Sequence, residues 1–171
     1  RYLKIAADEG HIGAMNSYGI QLYNGENIDA DKEEAVYYVK KAADCGLAAA
    51  LANYGLMIYD GYINGENKEG AVKYYKMAIE KGDAYAMNNY ANMLEKGDGI
   101  PANTEEAVKL YKMAIEKGDK DAMNNYAYML HKGDGIPVNI EEAIKYYKMA
   151  IEKGVASAMY NYAYMLHEGD G

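Results

Sequence analysis

Apolar residues recur along the chain at helical spacing. In the run EEAVKLYKMAIEK, Ala107, Tyr111, Ala114 and Ile115 share one face, which is the 3.6-residue period of an amphipathic helix and not the alternation of a strand. A second kind of run, KDAMNNYAYMLHK, puts Met123, Tyr126, Ala127 and Leu130 on one face. Met87, Tyr90, Ala91 and Leu94 repeat that face earlier in the chain. The two kinds alternate. The pattern predicts first helices near 12–24, 48–60, 84–96, 120–132 and 156–168, and second helices near 32–45, 68–81, 104–117 and 140–153. Residues 1–9 match the end of a second helix.

Polar residues mark the ends of these helices. Asp31 with Glu34, Asn103 with Glu106 and Asn139 with Glu142 each place a capping side chain three residues before a Glu. Asn67 lacks that Glu, because Gly70 stands there, so its helix is expected to start more weakly. The pairs Glu69–Lys73, Glu105–Lys109 and Glu141–Lys145 put Glu four residues before Lys, an orientation worth about 0.2–0.5 kcal/mol each on a solvated face. Gly82, Gly118 and Gly154 suit the left-handed residue that ends a helix and reverses the chain.

The alternation has a fixed period. Gly10, Gly46, Gly82, Gly118 and Gly154 are 36 residues apart, as are Tyr18, Tyr54, Tyr90, Tyr126 and Tyr162, and the loop glycines Gly25, Gly61, Gly97, Gly133 and Gly169. Such self-similarity means helix pairs that bury their apolar faces against neighbours, in an all-α, α/α superhelical solenoid of antiparallel pairs. The expectation is a single repeat array over 1–171, with four complete helix pairs and a partial unit at each end. The chain opens inside a helix and closes inside a loop, so it reads as part of a longer chain.

Composition narrows the function. The formal charge of -8 disfavours nucleic-acid backbones and anionic membrane surfaces, which need basic patches. Arg1 is the only arginine, leaving almost no bidentate recognition of phosphate or carboxylate. No apolar run approaches membrane-spanning length, so no membrane insertion is expected. Cys45, the single cysteine, forms no intrachain disulfide and aligns with Lys81, Lys117 and Lys153, as an incidental surface thiol would.

The run A-M-N-N-Y-A-x-M-L-x-x-G-D-G-I-P, followed by E-E-A-I-K-Y-Y-K-M-A-I-E-K-G, resembles the Sel-one-like repeat (SLR). That family is related to the tetratricopeptide (TPR) repeat, with a longer loop between its two helices. The resemblance runs through the whole chain. The first two loops, at Gly25 and Gly61, depart from G-x-G-I-P, which bears on loop conformation there. Pumilio repeats share the period but bind RNA through basic surfaces, and this acidic chain fits them badly. The resemblance implies a TPR-like fold acting as an adaptor or scaffold for protein binding.

Catalytic chemistry is poorly provided. Ser17, Ser157, Thr104 and Cys45 have no partner motif for nucleophilic work, so no enzyme and no cofactor are expected. Some cysteine-rich relatives in the family are linked to β-lactam chemistry, and this chain has neither their cysteines nor a suitable serine. The Gly-Asp-Gly loops at Asp98 and Asp134 offer one carboxylate each, where an EF-hand loop needs several. His131 and His167 occupy equivalent slots one repeat apart, with Glu95 in the slot before them, and read as duplicated surface residues more readily than as metal ligands.

The eleven Met and twenty Tyr sit mostly at core spacing. Opposite that core, the first helices carry Tyr85, Asn88, Asn92 and Glu95, then Asp121, Asn124, Tyr128 and His131, then Tyr160, Tyr164 and His167, with Asn16 in the slot of Asn88. In the arrays this chain resembles, those slots line a concave groove that grips extended peptides. Asn amides can pair with a peptide backbone, and Tyr gives rigid contact area with a polar handle. The expected function is therefore a protein–protein interaction scaffold binding an extended peptide or partner protein. The alternative is a structural spacer without a groove ligand. Met159, Tyr162 and Leu166 on the last helix lack their stacking partner, and end-to-end self-association through the terminal helices is a further expectation.

Overall fold

Ten helices are present among residues 1–169, which the computed structural model describes. They are α1 (Tyr2–Asp8), α2 (Ile12–Asn24), α3 (Lys32–Asp44), α4 (Ala48–Tyr59), α5 (Lys68–Glu80), α6 (Ala84–Lys96), α7 (Thr104–Glu116), α8 (Lys120–Lys132), α9 (Ile140–Glu152) and α10 (Ala156–Glu168). The periodicity places nearly every boundary within one residue, because the stop signals are explicit. Gly82, Gly118 and Gly154 adopt φ of 82°, 85° and 79°, the left-handed region that glycine enters without steric cost.

The capping signals act as the spacing implies. Asp31, Asn103 and Asn139 accept the backbone N–H of Glu34, Glu106 and Glu142. Asn67 still accepts from the Gly70 N–H at 3.1 Å, so α5 keeps its cap bond and lacks only the returning Glu. In the first of the two irregular loops Asn27, at φ 63°, stands where Gly99 and Gly135 stand in the later loops; Asn is the side chain that tolerates this region best.

The chain divides into two compact units, Arg1–Asn89 and Tyr90–Gly171. In the first, α1 packs on α2, α2 on α3, α3 on α4 and α4 on α5. Ala35, Val39, Ala42, Ala50, Ala71, Tyr75 and Ala78 are sealed from solvent. Small residues let the helices approach closely: a Cβ on Gly19 would lie 2.6 Å from Val39 Cγ2, so only glycine fits there. The irregular loops are clamped by aromatics. The Tyr23 hydroxyl donates to Asp60, and Lys32 Nζ lies 3.7 Å from the Tyr23 ring centroid and 4.8 Å from that of Tyr62.

In the second unit α7 packs on α8, α8 on α9 and α9 on α10. Its core repeats one formula, Tyr then Ala three residues on: Tyr111 with Ala114 and Tyr147 with Ala150, all fully buried. From α8 come Met123, Tyr126, Ala127, Met129 and Leu130. The outer face is solvated, with Glu105, Lys109, Glu141 and Lys145 exposed. Cys45 is an exposed free thiol.

Candidate functional site

The first-helix face of the second unit is built on asparagine amides that bond to one another. Asn161 Nδ2 on α10 donates to Asn124 Oδ1 on α8 at 3.0 Å, Asn124 Nδ2 to Asn125 Oδ1 at 3.3 Å, and Asn125 Nδ2 to Asn92 Oδ1 on α6 at 3.2 Å. The first unit has the same device between α4 and α2, where Asn53 Nδ2 donates to Asn16 Oδ1 at 2.9 Å. Of these, Asn16, Asn92 and Asn124 were expected to be open to a ligand. Much of their capacity is spent holding first helices together, a role that unsatisfied buried amides would make costly.

Burial follows from the same stacking. Asn88, Asn124 and His131 are only 4%, 7% and 5% exposed, against the expectation that their side chains face a groove. A lone amphipathic helix has one covered side. A first helix in these units is covered by its own second helix and also by neighbouring first helices, so the flanks of its polar face close. Asn16 and Asn92 are half-buried for the same reason. Tyr85, Asp121, Tyr128, Tyr160, Tyr164 and His167 are exposed, and Glu95 is half-buried. Tyr126 and Leu130 are interior while Tyr128 is 39% exposed, the orientation the spacing implies.

Between α6, α8 and α10 the face holds a cleft of about 120 Å³, lined by Asn92, Glu95, Lys96, Asn124, Asn125, Tyr128 and Asn161. Its floor is anchored from behind. The buried Tyr111 hydroxyl on α7 lies 2.6 Å from both Glu95 Oε2 and Asn92 Oδ1. A phenol has one proton to give, and the carboxylate is the stronger acceptor. Burial pushes the Tyr111 hydroxyl well above the ordinary phenol range, and the adjacent Glu95 carboxylate pushes it further.

At the far end of α8, His131 Nε2 sits 3.6 Å from Glu168 Oε2. Glu168 also accepts from Lys132 Nζ at 2.7 Å and from the Tyr164 hydroxyl at 2.8 Å. Those two hydrogen bonds, Lys132 first, hold its carboxyl below the usual range. His131 and His167 are not brought together as a ligand set, and no group of three or more metal-binding side chains occurs among the described residues. No helix among them is long and apolar enough to cross a membrane.

Helix pairs packed in each unit, with a polar first-helix face and fully buried Tyr and Ala residues, define a helical-repeat protein. The chain belongs to the Sel1 repeat family: the family model matches residues 12–47, 48–83, 84–119, 120–155 and 156–171. Such repeats generally serve as non-catalytic protein-interaction scaffolds. Among solved structures, a Sel1 repeat protein from Oxalobacter formigenes is similar at 30% identity and a TM-score of 0.76, over 86% of this chain and 60% of that one. A protective antigen of uropathogenic Escherichia coli with an SLR fold is similar at 28% identity and a TM-score of 0.76, over 98% of this chain and 36% of that one. The chain thus spans under two thirds of the length of either. A Sel1 repeat protein from Klebsiella pneumoniae, at 19% identity and a TM-score of 0.78 over 99% of this chain and 81% of that one, shares the fold. A search of curated protein sequences finds no match.

Proposed function

We propose that this chain is a protein-interaction scaffold that takes an extended segment of a partner protein along its first-helix face, with the second unit supplying the contact. The observation that carries the reading is the cleft itself, floored by the pre-positioned Glu95 and the amide ladder and flanked by the exposed Tyr128. Tyr160 and Tyr164 continue the surface along α10, their rings stacked at 6.5 Å. Exposed Tyr rings on a fixed helical frame give contact area with little entropy to lose on binding. A net charge of -8 favours a partner with positive charge.

The spacer reading has one observation in its favour: the Asn amides are largely engaged with each other. The two readings separate in a nuclear magnetic resonance titration of labelled protein with a library of extended peptides. Binding should shift Tyr128 and the Asn92, Asn125 and Asn161 side-chain amides, and Tyr128→Ala should abolish it without altering the unfolding midpoint. Partner contacts confined to α1 or α10, with those signals unmoved, would favour the spacer.

A further inference from the structure

Asn92, Tyr128 and Tyr164 hold one slot, 36 residues apart, on α6, α8 and α10. Amide bonds join these first helices side by side, α6 to α8 through Asn92 and Asn125 and α8 to α10 through Asn124 and Asn161. Packed helices lie about 8–10 Å apart, so equivalent side chains recur across the face at about that interval. Tyr128 and Tyr164 are the open rings of the row, 39% and 42% exposed. Tyr164 is also held in place: its hydroxyl donates to Glu168 at 2.8 Å, Tyr160 stacks on it at 6.5 Å, and Lys132 Nζ lies 4.8 Å from its centroid.

The spacing selects among extended backbones. In a β-strand, side chains on one side recur every second residue, about 6.6–6.8 Å apart, which falls out of step with the row. A polyproline II helix rises about 3.1 Å per residue with three residues per turn, so every third side chain returns to the same side after about 9 Å. Hydrogen bonding points the same way. The Asn92, Asn124 and Asn125 amide oxygens are already taken by neighbouring donors. In the cleft, the Tyr128 hydroxyl, Asn92 Nδ2 and Lys96 Nζ make no hydrogen bond among the described residues and can donate. The open acceptors there are Glu95 Oε1 and Asn161 Oδ1. A proline-rich segment brings carbonyl acceptors and few N–H groups, which suits a surface with more open donors than open acceptors.

We infer that the segment taken by this face is proline-rich and crosses α6, α8 and α10 as a polyproline II helix, with prolines three residues apart on Tyr128 and Tyr164. Aromatic-lined surfaces receive such helices because the backbone is already extended and loses little freedom on binding. The inference rests on the first-helix-face reading above and specifies which extended segment that face selects.

The test uses the intact chain and a capped oligoproline of about nine residues, three turns of the helix. A proline-free extended peptide of equal length serves as the comparison. Oligoproline should shift the Tyr128 and Tyr164 ring resonances and the Asn92 side-chain amide, and leave the outer faces of α7 and α9 unmoved. Tyr128→Ala should weaken binding at least about tenfold with the unfolding midpoint unchanged, and Tyr128→Phe, which keeps the ring, should weaken it less. Alanine peptides with two prolines should bind more tightly when the prolines are three residues apart than when they are four apart. Equal affinity for the proline-free peptide, with the same Tyr signals moving, overturns the inference and leaves the scaffold reading intact. Oligoproline binding that leaves Tyr128 and Tyr164 unmoved, or that does not depend on proline spacing, also overturns it. If neither peptide binds, both the inference and the extended-segment reading fail.

Discussion

Tyr75, Tyr111 and Tyr147 hold the same slot in successive second helices, and all three rings are fully buried. Their hydroxyls differ. That of Tyr111 reaches Glu95 and Asn92 at 2.6 Å, while those of Tyr75 and Tyr147 find no partner among the described residues. Replacing Tyr111 by Phe removes a hydrogen bond to a charged acceptor, worth about 1.5–3 kcal/mol. Glu95 and Asn92 line an open cleft and recover part of that from water, so a loss of about 1–2 kcal/mol is expected. In Tyr147→Phe the group removed is one whose burial costs about 1–3 kcal/mol, and the change should be neutral or stabilising by about 1 kcal/mol. Urea unfolding followed by circular dichroism resolves the difference, since m of about 1–3 kcal/mol per molar turns it into a midpoint separation of about 1 M. A double-mutant cycle adds a control: Glu95→Gln should couple to Tyr111→Phe and not to Tyr147→Phe. Tyr147→Phe costing as much as Tyr111→Phe would refute the reasoning.

Three further outcomes follow from the same geometry. Leu130→Ala should cost about 2–5 kcal/mol through a cavity, whereas Tyr128→Ala should leave the unfolding midpoint nearly unchanged; comparable losses in the two would reverse the orientation of α8. Burial raises Tyr75, Tyr111 and Tyr147 above the ordinary phenol value, so the unfolded chain releases these protons first. Stability should therefore be intact below about pH 10 and fall by up to about 1.4 kcal/mol per pH unit per tyrosine above it, with phenolate absorbance rising together with loss of ellipticity; phenolate forming in the folded protein near pH 10 at all three sites would contradict this. On the last helix Met159 and Leu166 are exposed with the half-buried Tyr162 on the same face, and we propose that this face mediates self-association at high concentration; light scattering should show mass rising with concentration in the parent chain and not in Leu166→Glu, and a constant monomer mass in both would dismiss the proposal.

The helices were legible because their boundaries carry their own chemistry: a glycine after each, an Asn or Asp cap before α3 and α5 to α9, and apolar residues in between. The site was legible only in part. Helical projection finds the direction away from the core, and Tyr128, Tyr160 and Tyr164 indeed face solvent. It does not find how wide the open sector is, because that depends on how closely neighbouring first helices approach. Asn124 and His131 lie on the flanks and are closed over, His131 beneath Glu168 from α10. Tyr111 was placed in the core on spacing alone, with no role toward the polar face. The signal available was the pairing of its hydroxyl slot with Asn92 and Glu95, against Tyr128 and His131 one repeat later. Only the fold puts those positions opposite each other.

That comparison between repeats also explains why the cleft lies where it does. The second-helix Tyr packs equally well with its hydroxyl bonded, as at Tyr111, or without a protein partner, as at Tyr75 and Tyr147. Stacking therefore needs the ring and not the hydroxyl. At Tyr111 alone the hydroxyl meets a carboxylate three residues beyond an amide on the same helix, and the consequence is a Glu95 held from behind and turned toward the cleft. His131, in the slot of Glu95 one repeat later, is instead drawn toward Glu168 and buried. One scaffold position thus yields a presented charge in one repeat and a sealed ring in the next. The difference arises from what the slot contains and what faces it, on helices ended by the same glycine turns and carrying the same buried Tyr and Ala. In such an array, specificity can change one slot at a time without disturbing the stack, and Glu95 is the slot where this chain exposes a charge fixed by its own core.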